Sequence, residues 1–160
     1  MSEPIEPIVF VVDDEPAVSD SISMLLRSVG LKTRCFPDPQ AFLQDYKPEM
    51  PGCMLLDIRM PRMSGIELQQ EMMRRRYIIP IIFLTGHGDI PMAVDAMRAG
   101  AADFVQKPFN DEDLIGRVRK ALEQDGKDRA DLHKREEIAT RWAQLTPREQ
   151  DIARLIGSGE

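Results

Sequence analysis

The run Cys53-Met54-Leu55-Leu56-Asp57-Ile58-Arg59-Met60-Pro61 decides the fold, because four apolar residues end abruptly on a carboxylate. The same break recurs along the chain. Ile8-Val9-Phe10-Val11-Val12 runs into Asp13-Asp14-Glu15. Ile79-Pro80-Ile81-Ile82-Phe83-Leu84 ends in Thr85-Gly86, and Asp103-Phe104-Val105-Gln106 ends in Lys107-Pro108. Apolar stretches of about 4–8 residues read as strands buried on both faces of a parallel sheet. In an open parallel sheet, ligands bind in the crevice beyond the carboxyl ends of the strands. The spacing therefore predicts three carboxylates, one hydroxyl and one ammonium on a single edge.

Helical patterns fill the gaps between these runs. Val18, Ile22, Leu25, Leu26 and Val29 mark one face of a first helix, with Gly30 placed to end it. Leu31–Phe36 reads as a second strand, and Ala41-Phe42-Leu43 as part of a short second helix. Ser64-Gly65-Ile66-Glu67 has the form of a capping box and opens a third helix reaching about Arg76. A fourth helix spans Ile90–Met97, with Gly100 just beyond it. Asn110 caps a fifth that buries Leu114, Ile115, Val118 and Leu122. Strict alternation of strand and helix implies an α/β doubly wound sheet with right-handed crossovers.

The 160 residues allow one ordinary domain and a fragment of another. A hydrophobic share of 42% with 30% charged residues fits a globular chain with a real core. No apolar run approaches the roughly 20 residues that span a bilayer. The start, Met-Ser-Glu-Pro-Ile-Glu-Pro, lacks the basic flank of a signal peptide, so a cytoplasmic location and no membrane partner are expected. Residues 1–122 carry 18 acids and 14 bases, and residues 123–160 carry 9 acids and 7 bases. Neither part has the basic excess that marks a nucleic-acid surface.

The predicted crevice has a definite chemistry. Three neighbouring carboxylates resist ionising together unless a cation relieves them. An all-oxygen donor set favours Mg²⁺, held by Asp13 and Asp14, directly or through water. Asp57 is then free to act as a nucleophile toward phosphorus, forming an aspartyl-phosphate. Lys107 offers a compact positive charge to a phosphoryl oxygen, and Thr85 a hydroxyl to another. Any one of these residues alone reads more simply as a turn or cap residue; the series at successive strand ends is what points to a site.

The segments Val11-Val12-Asp13-Asp14-Glu15, Leu56-Asp57-Ile58-Arg59-Met60-Pro61-Arg62-Met63-Ser64-Gly65, Thr85-Gly86-His87-Gly88-Asp89 and Lys107-Pro108-Phe109 resemble the receiver domain of two-component response regulators. The resemblance covers roughly residues 8–122. Thr85 to Val94 resembles the FixJ-type branch of the FixJ/NarL group, and Leu145-Thr146-Pro147-Arg148-Glu149 resembles the opening of its LuxR-type helix-turn-helix domain. The resemblance implies a flavodoxin-like five-stranded sheet in the order 2-1-3-4-5, and a phosphoryl group accepted on Asp57 from a sensor histidine kinase. It implies Mg²⁺ placed by Asp13, Asp14, Asp57 and the backbone carbonyl of Arg59. Lys107, preceding a cis Pro108, would pair with the phosphate, and Asp57 and Lys107 would be the catalytic pair. Thr85 and Phe104 would form a switch that reshapes the face of the fourth helix, fifth strand and fifth helix, driving homodimerisation.

The organisation that follows is a receiver over residues 1–122, a helical linker over 123–144, and the first part of an all-α output domain over 145–160. Thr146 at the N-cap, Pro147 at N1 and Glu149 at N3 specify a helix start. Ile152, Leu155 and Ile156 give that helix an apolar stripe. The DNA-reading second helix of such a domain lies beyond Ser158-Gly159-Glu160, so DNA binding is expected of the full-length protein and not of these residues. The leading reading is a phosphorylation-dependent transcriptional regulator; the alternative is a stand-alone receiver acting as a relay or phosphate sink. A phosphatase using the same nucleophile would want a second carboxylate two residues on, where this chain has Arg59, so no enzyme is expected.

Other residues take plainer readings. Cys35 and Cys53 read as inert core thiols, and His87 and His133 as residues without metal partners. Arg74-Arg75-Arg76 reads as a solvated helix end. Met24, Met72, Met73, Met92 and Met97 read as core filler, with a partner surface as the alternative for the last two.

Overall fold

The computed structural model describes residues 5–157, the side chains of residues 150, 153 and 155–157 excepted. Contacts divide the chain into two units, Met1–Gly126 and Lys127–Glu160. In the first, five strands run β1 (Ile8–Val12), β2 (Lys32–Phe36), β3 (Gly52–Asp57), β4 (Ile81–Thr85) and β5 (Asp103–Gln106). Between them lie α1 (Pro16–Ser28), α2 (Pro39–Asp45), α3 (Gly65–Arg74) and α4 (Ile90–Arg98). All pairings are parallel and the order is β2-β1-β3-β4-β5, as the resemblance implied.

Alternation along the strands builds two cores, because successive side chains point to opposite faces. Phe10, Val12, Met54, Leu56 and Phe83 face one way and pack with Phe42, Leu68, Met72 and Ala93 from α2, α3 and α4. Val9, Val11, Cys53, Leu55, Ile82 and Leu84 face the other way, against Ile22 and Leu26 of α1 and Leu114 and Val118 of the last helix of this unit. Each fully buried side chain of this size contributes about 1.5–3 kcal/mol. β3 is buried at all six positions, as its apolar run requires.

Local signals set the helix ends. The capping box at α3 forms in full: Ser64 accepts from the Glu67 N–H, and Glu67 accepts from the Ser64 N–H. Gly30 and Gly100, at φ 83° and 111°, close α1 and α4. Asn110 Oδ1 accepts from the Asp113 N–H at 3.1 Å and starts α5, which runs unbroken from Asp111 to Gln144.

In the second unit, α6 (Pro147–Gly157) begins with a reciprocal bond between Thr146 and Glu149. The Arg154 guanidinium lies 5.4 Å from the Trp142 ring centroid, within cation–π range. Ile152 is exposed. The side chains of Leu155 and Ile156, expected in the same stripe, lie outside the described residues, as do Ser158, Gly159 and Glu160. No helix among the described residues is long and apolar enough to cross a membrane.

Two plain readings need correction. Cys35 is exposed, because β2 is an edge strand with most of its positions open to solvent; Cys53 is buried, and burial followed by the nearby Asp125 charge pushes its thiol up to about 12. Of the five methionines, Met72 is buried and Met92 packs partly buried on the core, while Met24 and Met73 are exposed on α1 and α3; Met97, with a partner surface as its alternative reading, is exposed on α4.

Candidate functional site

β1 and β3 lie side by side at the centre of the sheet, and both end in acids at the same edge. Asp13, Asp14 and Asp57 each offer a carboxylate oxygen, and these atoms all lie within 4.8 Å of one another. Asp13 and Asp57 are buried and Asp14 is exposed, so the cluster has a closed floor and an open rim. Asp13 is held from two sides: Oδ1 accepts from the Glu15 N–H at 2.9 Å, and Oδ2 accepts from Lys107 Nζ at 3.2 Å. Lys107 reaches in from the end of β5, beside the cis bond to Pro108, and its ammonium lies 3.7 Å from Asp57 Oδ2.

Asp57 is braced by its own loop. Its Oδ1 accepts from the Arg59 N–H at 3.2 Å. A Cβ on Gly65, at the first turn of α3, would fall 2.4 Å from the Asp57 carbonyl oxygen. Only glycine lets that helix start so close to the strand end. Burial raises the Asp57 carboxyl to about 6, and the Asp13 charge adds to the rise; Lys107 and the Arg59 N–H offset only part of it. Burial of the Lys107 ammonium disfavours its charge, yet Asp57 and Asp13 outweigh that and its pKa is raised.

Thr85 and Phe104, the pair the resemblance implied as a switch, lie on the neighbouring strands β4 and β5. Thr85 is fully buried at the end of β4, and its hydroxyl donates to the Val105 carbonyl at 3.3 Å. Its own carbonyl accepts from the Lys107 N–H at 2.7 Å, which joins β4 to the Lys107 loop. Phe104 pairs with Phe83 across β4 and β5 and is half-buried against the α2–α3–α4 core.

An open cluster of three carboxylates, its negative charge offset only in part by Lys107, suits Mg²⁺.

The chain matches the response regulator receiver domain over residues 9–119. The chain belongs to that family. The response regulator TmoT of Ectopseudomonas mendocina is 42% identical over 154 residues, spanning 96% of this chain and 70% of that protein. The transcriptional regulatory protein FixJ of Bradyrhizobium diazoefficiens is 40% identical over 151 residues, spanning 94% and 74%. Among solved structures, the response regulator StyR superposes with a TM-score of 0.89 at 41% identity, over 97% of this chain and 78% of that one. Full-length FixJ from B. japonicum gives 0.72 at 37% identity, over 98% and 77%. The protein is thus a FixJ/NarL-type response regulator of a two-component system, and its relatives are transcriptional regulators.

Within this response regulator, two acids escaped the sequence reading. Asp89 sits in the loop after β4, where it pairs with the Arg59 guanidinium and accepts from the Gly86 N–H at 3.0 Å. The Arg59 bond leads the causes that hold the Asp89 carboxyl below its usual range. Asp125 is 1% exposed and accepts from the Gly52 N–H at 2.9 Å. It comes from a charged stretch that reads as solvated, so nothing local announces it. His87, by contrast, lies exposed in its loop, in keeping with its plain reading.

Proposed function

We propose that Asp57 is the phosphoacceptor of this response regulator and that a sensor histidine kinase is the donor. The Asp57 carboxylate attacks phosphorus as the bond to the kinase imidazole breaks. The departing nitrogen keeps the electron pair and takes up a proton. Asp13, Asp14, Asp57 and the Arg59 carbonyl would hold a Mg²⁺ ion, which would supply positive charge to the phosphoryl oxygens. Lys107 donates to one of those oxygens, turning from Asp13 toward the phosphoryl group. The Arg59 N–H keeps the Asp57 carboxylate oriented. The carrying observation is the convergence of Asp13, Asp14, Asp57 and Lys107 from three different strand ends.

The switch acts through Thr85 and Phe104. A phosphoryl group brings about −1.5 to −2 charges and three acceptor oxygens, by analogy with phosphoserine. The Thr85 hydroxyl leaves the Val105 carbonyl for one of these oxygens, and Phe104 turns inward to fill the space. A swing from mostly off to mostly on needs on the order of 5 kcal/mol of differential contact. Two charge-assisted bonds from Lys107 and Thr85 reach much of that. The altered face of α4, β5 and α5 then pairs with a second copy; Ile90, Val94 and Met97 already leave apolar surface there.

On this reading residues 1–122 are the receiver, 123–144 the linker and 145–160 the first part of a LuxR-type output domain that binds DNA in the full-length protein. Arg59, two residues after the nucleophile, leaves no carboxylate to turn over external substrates, so the protein acts as a switch and not as an enzyme. A small phosphodonor with Mg²⁺ should label the protein with acid-stable, base-labile phosphate. Full labelling of an Asp57→Asn variant would overturn the assignment.

A further inference from the structure

Helix α4 has little apolar burial to hold it. Of its nine residues only Ala93 and Ala96 are buried, while Ile90, Val94 and Met97 remain well exposed. Its N-cap residue does not cap it either: the Asp89 side chain makes no bond to the first amides of the helix. That carboxylate turns back instead, taking the Gly86 N–H on one oxygen and the Arg59 guanidinium on the other. A second polar bond holds the far end, where Gln69 Nε2 of α3 donates to the Ala96 carbonyl at 3.0 Å in a buried contact.

Arg59 therefore touches both sides of the site. Its backbone N–H donates to Asp57 Oδ1, and its side chain reaches across to the β4–α4 loop, which begins one residue past Thr85. We propose that the Arg59 guanidinium is the tether that keeps the β4–α4 loop and α4 in their resting arrangement, and that phosphorylation of Asp57 loosens it. The second half rests on the phosphoacceptor reading above. A phosphoryl dianion two residues away competes with Asp89 for the same guanidinium. A ligand shifts an equilibrium only through contacts that differ between the states, and this pair supplies one such difference. Arg59 is a positioning residue here, acting on α4 through Asp89.

The test is amide hydrogen exchange across residues 86–98 in the whole chain, without phosphodonor. Arg59→Gln and Asp89→Asn should each speed exchange there by about tenfold while leaving β1 and β3 unchanged. Arg59→Lys, which keeps a cation, should recover a large part of the protection. The double variant should exchange no faster than the faster single one, since both break one bond. Unchanged exchange in Arg59→Gln, or additive effects in the double variant, overturns the tether. For the coupling, beryllium trifluoride with Mg²⁺ should increase dimerisation less in Arg59→Gln than in the wild type, measured by sedimentation. Equal gains overturn it. Labelling of Asp57→Asn would remove the phosphoacceptor reading and the coupling with it, while the tether is judged on exchange measured without phosphate.

Discussion

The Lys107 ammonium is hydrogen-bonded to Asp13 at 3.2 Å and stands 3.7 Å from Asp57, beyond hydrogen-bond reach. The half-buried cation of the crevice thus leans on Asp13 and leaves the outer oxygen of Asp57 to electrostatics alone. On the proposed function, a Mg²⁺ ion held by Asp13 and Asp14 would offset the Asp13 charge that Lys107 now offsets, and would leave the ammonium free to turn toward a phosphoryl group on Asp57.

Removing that ammonium should expose the repulsion it offsets. Lys107→Met leaves Asp13 and Asp57 buried together without their cation, a change that costs on the order of 1–3 kcal/mol at neutral pH. Urea unfolding in a chelator should report the loss, and millimolar Mg²⁺ should recover part of it. Equal losses with and without Mg²⁺ would place the role of Lys107 in packing.

Asp57 carries a pH signature of its own. Its carboxyl titrates at about 6 in the folded protein against 3.8 for an unperturbed aspartate, so the native state holds this proton more tightly. Stability from this group is greatest below about pH 4 and falls as pH rises toward 6, levelling off above. Asp57→Asn has no such charge to bury. In a chelator at pH 7 it should be more stable than the wild type by on the order of 2 kcal/mol, with the advantage gone near pH 4. Paired unfolding curves at both pH values check this, and a constant difference between them would refute the raised carboxyl.

Thr85→Ala should separate chemistry from switching. The hydroxyl donates to Val105 and makes no bond to Asp57, so labelling by a small phosphodonor should persist. Loss of the buried hydrogen bond costs about 0.5–1.5 kcal/mol of stability. Dimerisation driven by phosphate should weaken severalfold, and an unchanged dimerisation constant in the phosphorylated protein would remove Thr85 from the switch.

Asp125 should matter for folding and not for the chemistry. It satisfies the Gly52 N–H at the amino end of β3, far along that strand from Asp57. Asp125→Ala leaves that amide buried and should cost about 1–3 kcal/mol, with Asp125→Asn losing less because it retains an acceptor. Thermal unfolding checks the order of the two variants. Phosphodonor labelling of both should match the wild type.

How much of this was legible beforehand follows from the range of each interaction. The strands were readable because a parallel sheet covered on both faces demands unbroken apolar runs, as in Cys53 to Leu56. Helix ends were readable because Ser64 with Glu67, Thr146 with Glu149, and Asn110 with Asp113 act within three residues. Asp13, Asp14, Asp57 and Lys107 could be nominated from strand ends alone, since parallel strands deliver their carboxyl ends to one edge. The exposure of Cys35, Met24 and Met73 was not readable, because an edge strand or outer helix face is a property of what fails to pack beside it.

The chain by itself determined the α/β alternation, the helix caps and the residue types delivered to the sheet's acidic edge, all of which depend on local periodicity or on neighbours a few positions away. Only the tertiary structure decided that Lys107 bonds Asp13 ahead of Asp57, that Arg59 crosses to Asp89, and that Asp125 is buried against Gly52. These pairs lie 94, 30 and 73 positions apart. Which of several nearby acids a side chain chooses depends on distances of tenths of an ångström, set by packing of the whole sheet and carried by no stretch of sequence alone.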